Sequence, residues 1–238
     1  IVPDHRCDGR GFYGQTWDMH DSATQHVVLL RIRPDDGPAA LVFTTTGCVG
    51  QIGMNEAGVC VGINNLVATD GCPGVMWTSV VRDALLQDSA AAACDAILAA
   101  DLAGAHSFLV FDASGEGHMI EAFPTAGPTV TLDDDALVHT NHALWAEAVA
   151  REAPKNEVLK DSSTRRRARA LELLDRDGID EHVLMAVTRD EGAICQVSRE
   201  PFHIESSGAV VMRPSTLDFW AVWGLPSHNE YVHVPLVT

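Results

Sequence analysis

An amide or thioester is cleaved most simply by a nucleophile, a base and an oxyanion donor held in one cleft, and this sequence carries side chains suited to each part. Asn141, within His139-Thr140-Asn141-His142, has a neutral amide that can donate to a developing negative charge without changing protonation. Its structural alternative is a strand-ending asparagine bonded to its own backbone. Asp18 closes Gly14-Gln15-Thr16-Trp17-Asp18 and offers a carboxylate, the alternative being a strand-end group at the surface. Asn64, with Asn65 as second choice, follows a strand and is either a pocket residue or an ordinary turn former. His139 and His142 lie in a strand-to-loop setting with no third ligand at metal-site spacing, so neither a metal nor a cofactor is expected. The thiols are those of Cys7, Cys48, Cys60, Cys72, Cys94 and Cys195.

The elements that must position these groups follow from periodicity. Residues 12–18 alternate as a strand after the turn Asp8-Gly9-Arg10-Gly11, and 27–32 and 40–45 flank Asp35-Asp36-Gly37, which together predict an antiparallel meander. Ile52-Gly53-Met54 and residues 59–63 form a hairpin across Asn55-Glu56-Ala57-Gly58. Helical spacing over 75–86, then a helix capped by Ser89 and running through Leu98, place two adjacent helices after this sheet. A hairpin of 106–111 and 118–122, with a short strand over 136–140, supplies a second sheet layer. Ser162 or Ser163 caps a basic helix over 164–174 with a buried stripe of Ala170, Leu171 and Leu174. Its Arg165, Arg166, Arg167 and Arg169 read as a solvated or salt-bridged face rather than a nucleic-acid patch. Strands at 210–212 and 217–223 close the domain, so the order of elements predicts an α+β fold of sheets stacked between helical layers.

Composition bounds the partners. The 238 residues, 46% of them hydrophobic, suffice for one large globular domain. A formal net charge of −17 repels phosphate backbones and anionic membrane surfaces, so no nucleic acid and no membrane is expected as partner. With no apolar run of bilayer-spanning length, no basic-then-apolar leader and no C-x-x-C pair, the expectation is a reduced cytoplasmic protein.

The three landmarks Gly14-Gln15-Thr16-Trp17-Asp18, Asn55-Glu56-Ala57-Gly58 and His139-Thr140-Asn141-His142, in this order and separation, resemble the acyl-coenzyme A:6-aminopenicillanic acid acyltransferase branch of the N-terminal-nucleophile hydrolases. The resemblance runs along nearly the whole chain. It implies a four-layer αββα sandwich, with 1–238 as the large (beta) subunit of an autoprocessed precursor. It also implies an amidohydrolase or acyltransferase that cleaves a linear amide of a small molecule or peptide through a thioester acyl-enzyme. Asp18 matches the aspartate of the family's Gln-Asn-Trp-Asp motif, which orients the amine of the catalytic cysteine, and Asn141 matches the oxyanion-hole asparagine. Gln15, Trp17, Asn64 and His142 fall at substrate-binding positions, with His142 also shaping the loop around Asn141; Thr16 stands where the family has asparagine. The family arginine that precedes the Gly/Ala-rich strand has no counterpart between Arg199 and Arg213, which argues against a β-lactam-derived substrate and makes water the expected acyl acceptor.

In the family, the nucleophile is a cysteine exposed as a new N-terminus by self-cleavage, and its α-amine, titrating near ~8 unperturbed, serves as base. Position 1 here is isoleucine. Cys7 directly precedes a turn, whereas the family's cysteine opens a strand. The expectation is therefore a nucleophile a few residues upstream of Ile1, a strand tail at Ile1-Val2-Pro3, and a heterodimer with a small N-terminal subunit from the same precursor. The alternative is a non-catalytic small-molecule binding relative of the same fold.

Overall fold

The computed structural model describes residues 1–236. Its first regular strand, β1 (Tyr13–His20), is followed by β2 (Val27–Ile32), β3 (Ala40–Thr45), β4 (Ile52–Asn55) and β5 (Cys60–Asn65). Two helices, α1 (Trp77–Ala84) and α2 (Ala90–Ala99), lead to β6 (His106–Phe111), β7 (Gly117–Ala122) and the short β8 (Thr129–Thr131). Helices α3 (Ala146–Val149), α4 (Glu157–Leu174) and α5 (Glu181–Thr188) precede β9 (Ile204–Arg213), β10 (Asp218–Trp223) and β11 (Val232–His233).

The strands divide into two antiparallel sheets. Strands β2 to β8 form one seven-stranded sheet in chain order, while β1, β9, β10 and β11 form the other. Three expectations change here. The strand carrying Asp18 is not part of the β2–β3 meander, since it pairs with β9 from the far end of the chain. The hairpin of β6 and β7 extends the first sheet through β5 rather than starting a second layer, and residues 136–140 form no regular strand. Periodicity shows which residues alternate, but not which distant edge they meet.

Alternation along each strand then builds three apolar layers. Ala40 and Val42 face α1 and α2 together with Val61, Phe108 and Val110. Their neighbours Leu41, Phe43, Leu109 and Phe111 face the other sheet, against Tyr13, Val210 and Met212. Val211, between those last two, turns outward to Phe12, Leu174, Leu184 and Met185 under α4 and α5. Helices, sheet, sheet and helices thus stack as the four-layer αββα sandwich. Among the described residues, no helix is long and apolar enough to cross a membrane.

The helix start also moves. Asn156, not Ser162 or Ser163, caps α4, its side chain accepting from the Val158 N–H. An extra stretch of helix therefore precedes the arginines, and Ser163 becomes a buried mid-helix residue, free to bond outside its own helix. Leu171, assigned to the buried stripe, is exposed.

Candidate active site

Asp18 owes its direction to a bulge. Trp17 lies opposite Gly208 but Asp18 lies opposite Ser206, so the β1–β9 register shifts between them. Such a bulge re-aims the side chain that follows it. Ser206 Oγ donates to Asp18 Oδ1 at 2.6 Å, and Arg166 Nη1 stands 4.0 Å from Oδ2. Burial raises the Asp18 pKa, opposed by the Arg166 charge and the hydroxyl of Ser206.

Asn141 sits on a loop fastened to α4. Its backbone N–H donates to Ser163 Oγ at 2.8 Å, and Thr140 Oγ1 donates to the Ser163 carbonyl at 2.9 Å. His142 Nδ1 lies 2.7 Å from the same Ser163 hydroxyl, and burial lowers the pKa of its imidazole. Lys155 Nζ donates to the Asn141 carbonyl at 2.5 Å. The side-chain amide is oriented as well: Arg166 Nη2 donates to Oδ1 at 2.9 Å, and Nδ2 donates to the Asn65 carbonyl at 3.2 Å. The second N–H of that amide is left for another acceptor.

Arg166 is therefore the common neighbour of Asp18 and Asn141. The reading of the arginine run as a solvated or salt-bridged face holds for Arg165, which pairs with Asp161 at 2.9 Å, and for Arg169, which pairs with Asp190 at 2.9 Å. It fails for Arg166, whose side chain is only 14% exposed. Successive helical residues point about 100° apart, so one of four neighbouring arginines can enter a site while the next serves the surface. A pattern of basic residues carries no sign of which one does.

Arg166, Ala170 and Leu174 recur along one face of α4 and line a cavity of about 120 Å³. From Arg166 to Leu174 is two helical turns, about 12 Å. Gln15, Thr16, Asn64 and Thr140 supply polar groups, while Val138, Leu184, Val187 and Ile194 make the wall apolar. Ile1 lines it too, with Val2 bridged to Phe12 and the Ile1 N–H donating to the Leu137 carbonyl at 2.9 Å. Ile1 and Val2 are both buried there.

The remaining sequence-derived residues separate into two groups. Gln15 and Asn64 line the cavity; Gln15 Nε2 donates to the Ile63 carbonyl, and Tyr13 Oη donates to Gln15 Oε1 at 2.8 Å. That contact requires glycine at position 62, because a Cβ there would stand 2.1 Å from both Gln15 Oε1 and Tyr13 Oη. Trp17 and His142 are not in the cavity wall. Trp17 packs against both the layer under α1 and α2 and the layer between the sheets, with its ring 6.3 Å from that of Trp77, and His142 braces Ser163. Asn55 is structural: buried, it accepts from the Val59 N–H at 2.9 Å and donates to the carbonyls of Leu85 and Gln87 at 3.0 and 2.7 Å. Cys7 lies outside the cavity with its thiol pushed up to about 11 by burial and Asp4, a poor nucleophile. Among the described residues no cluster of side chains could hold a metal ion.

Solved structures share this architecture. The Caenorhabditis elegans ortholog of N-acylethanolamine-hydrolyzing acid amidase superposes with a TM-score of 0.62 at 17% identity, over 90% of this chain and 92% of that one. A variant of conjugated bile acid hydrolase from Clostridium perfringens gives 0.61 at 14% identity, over 94% and 93%. Penicillin V acylase from Agrobacterium tumefaciens gives 0.61 at 10% identity, over 98% and 84%. By sequence, the 40 kDa form of acyl-coenzyme A:6-aminopenicillanic-acid-acyltransferase from Emericella nidulans is 28% identical over 136 residues, which are 55% of this chain and 37% of that protein. The chain thus matches little more than a third of that relative's length. Since the family model matches residues 5–206, and the bulged Asp18 strand and the Asn141 loop lie within that span, the chain belongs to the acyl-coenzyme A:6-aminopenicillanic acid acyl-transferase family.

Proposed function

We propose that this chain is the large subunit of an autoprocessed N-terminal-cysteine amidohydrolase acting on a linear amide through a thioester acyl-enzyme, with a small N-terminal subunit from the same precursor as its partner. The observation that carries the reading is Arg166 joining Asp18 and Asn141 beside a cavity that Ile1 lines. A cysteine shortly before Ile1 would extend the Ile1-Val2-Pro3 segment into that polar region. Its thiol passes its proton to its own neutral α-amine, which Asp18 orients, and the sulfur attacks the substrate carbonyl. Asn141 donates to the resulting oxyanion. As the carbonyl re-forms, the C–N bond breaks, and the leaving amine takes the proton back from the α-ammonium. Water then attacks the thioester, releasing the carboxylic acid and restoring the thiol.

The apolar wall of Val138, Leu174, Leu184, Val187 and Ile194 suits the acyl part of the substrate, which would shed apolar surface from water there. Water is the acyl acceptor in this reading, and the six unpaired cysteines accord with a reducing, cytoplasmic setting.

The test is direct. Full-length protein turning over the para-nitroanilide of a medium-length fatty acid, quenched in acid, is expected to carry one acyl group on a cysteine N-terminal to Ile1 by mass spectrometry. Unmodified protein during measurable turnover overturns the covalent mechanism. Ligand binding with neither adduct nor turnover is the behaviour of a binding relative. Added amine is expected to divert little product; a dominant transfer product would make the protein an acyltransferase.

A further inference from the structure

We propose that Glu121 is a positioning residue that sets Asn141 for oxyanion donation by tying both ends of its loop to the seven-stranded sheet. This rests on the reading of Asn141 as the oxyanion donor.

Glu121 lies near the end of β7, and its side chain and that of His139 are fully buried. A carboxyl group placed there must be satisfied by its neighbours. Its three partners all belong to the loop that carries Asn141. Oε1 accepts from the Leu144 N–H at 2.7 Å and lies 2.8 Å from His139 Nε2, while Oε2 accepts from the Trp145 N–H at 3.3 Å. The carboxyl thus grips the loop before Asn141 and again after it. With backbone N–H groups already donating to both oxygens, the ring nitrogen is best placed as a donor too. The other ring nitrogen of His139, Nδ1, is buried and has no partner.

The loop's other backbone ties run elsewhere. Ser163 holds its crown to α4, and Glu152 Oε2 accepts from the Ala143 N–H at 3.2 Å. Asn64 and Asn65, however, are on β5, in the same sheet as β7. A tie to that sheet fixes Asn141 relative to them: beside the single bond from Asn141 Nδ2 to the Asn65 carbonyl, Glu121 provides a triple one. Releasing it leaves Asn141 bonded to Arg166 and joined to the β5 face of the cavity by that one 3.2 Å bond. A donor that must reorganise during the reaction stabilises the transition state less, whereas ground-state binding along the apolar wall is unaffected. The loss belongs in kcat rather than KM.

A double-mutant cycle on the full-length protein distinguishes this from a general structural role. Asn141→Ala alone is expected to lower kcat about 100-fold. Glu121→Gln, which keeps the shape but turns an amide N–H toward one of the three donors, is expected to lower kcat by about tenfold with KM within about threefold. In the Asn141→Ala background the same substitution is expected to change kcat by less than about twofold. Should Glu121→Gln fail to fold, His139→Gln enters the cycle instead; it opens one side of the grip and leaves the Leu144 and Trp145 bonds. If the loss persists in full without Asn141, or if neither variant lowers kcat in its presence, the positioning role is wrong while the site reading stands. If Asn141→Ala itself is fully active, the site reading falls and this proposal falls with it.

Discussion

Arg166 Nη2 donates to Asn141 Oδ1 at 2.9 Å, and that one bond decides which end of the amide can act. An asparagine side chain can present either its oxygen or its nitrogen to a cavity, and the two differ by a half-turn. With a guanidinium against the oxygen and the Asn65 carbonyl accepting from Nδ2, the flipped orientation would set donor against donor and acceptor against acceptor. The amide is held as a donor before any substrate arrives, which is the condition for effective oxyanion stabilisation.

Asn141→Ala is accordingly expected to lower kcat about 100-fold or more while KM and melting temperature change little. Asn141→Asp should be as damaging, because a carboxylate would pair with Arg166 and repel the developing negative charge. Steady-state kinetics beside thermal melts check this. Near-normal turnover, or inactivity explained wholly by unfolding, would return Asn141 to a structural role.

Arg166→Met removes the cation beside Asp18 and frees the Asn141 amide at once. Since Arg166 is the main influence opposing the burial that raises the Asp18 pKa, its loss is expected to move the acid limb of the pH–rate profile to higher pH and to lower kcat by at least about tenfold. Arg166→Lys should restore the acid limb more fully than it restores kcat, because an ammonium keeps the charge but not the planar fork that reaches both partners. An unshifted acid limb in Arg166→Met would separate Asp18 from Arg166 functionally.

Gly62→Ala tests how closely β1 approaches β5. The added methyl would meet Gln15 Oε1 and Tyr13 Oη at 2.1 Å, so the two strands must part or Gln15 must leave the Ile63 carbonyl. A destabilisation of about 1–3 kcal/mol is expected, together with a raised KM if Gln15 swings into the cavity. Urea unfolding and kinetics measure the two effects separately. Wild-type stability would mean that the strands yield freely.

Acid should destabilise the fold partly through His106. Burial pushes its pKa from 6.5 to about 4, so the folded protein binds fewer protons than the unfolded chain. Its contribution is fully present above about pH 6.5 and is lost as pH falls toward 4, roughly 3 kcal/mol over that window. Asp18 works in the opposite direction, since a carboxyl with a raised pKa favours the folded state at low pH. His106→Phe, which keeps a ring where His106 packs 5.2 Å from Trp77, is expected to flatten the fall in stability between pH 6.5 and 4. Parallel slopes for the two proteins would exclude His106 as the cause.

The sequence by itself determined the strands with strong alternation. Val27–Ile32 and Ala40–Thr45 are bounded as their apolar pattern and turn residues dictate, and Ser89 caps α2 as its position before four alanines predicts. It also brought Asp18 and Asn141 to notice, because their short motifs resemble those of a known family, and a motif is local and needs no knowledge of neighbours. Tertiary structure decided the rest. Which sheet β1 joins depends on the partner edge offered by β9, a choice no local window contains. Which arginine of the run enters the site depends on how α4 is rotated against β1, and Asn156 rather than Ser163 starts that helix, its side chain accepting from the Val158 N–H, which leaves the Ser163 hydroxyl to the Asn141 loop. The Glu121 bonds to both flanks of that loop are equally invisible in sequence, since a glutamate in a β-strand is ordinarily read as a solvent-facing residue. Local sequence fixes backbone conformation and side-chain chemistry, whereas the meeting of distant polar groups is set by the packing of layers, in which each buried donor or acceptor must find a partner from another element.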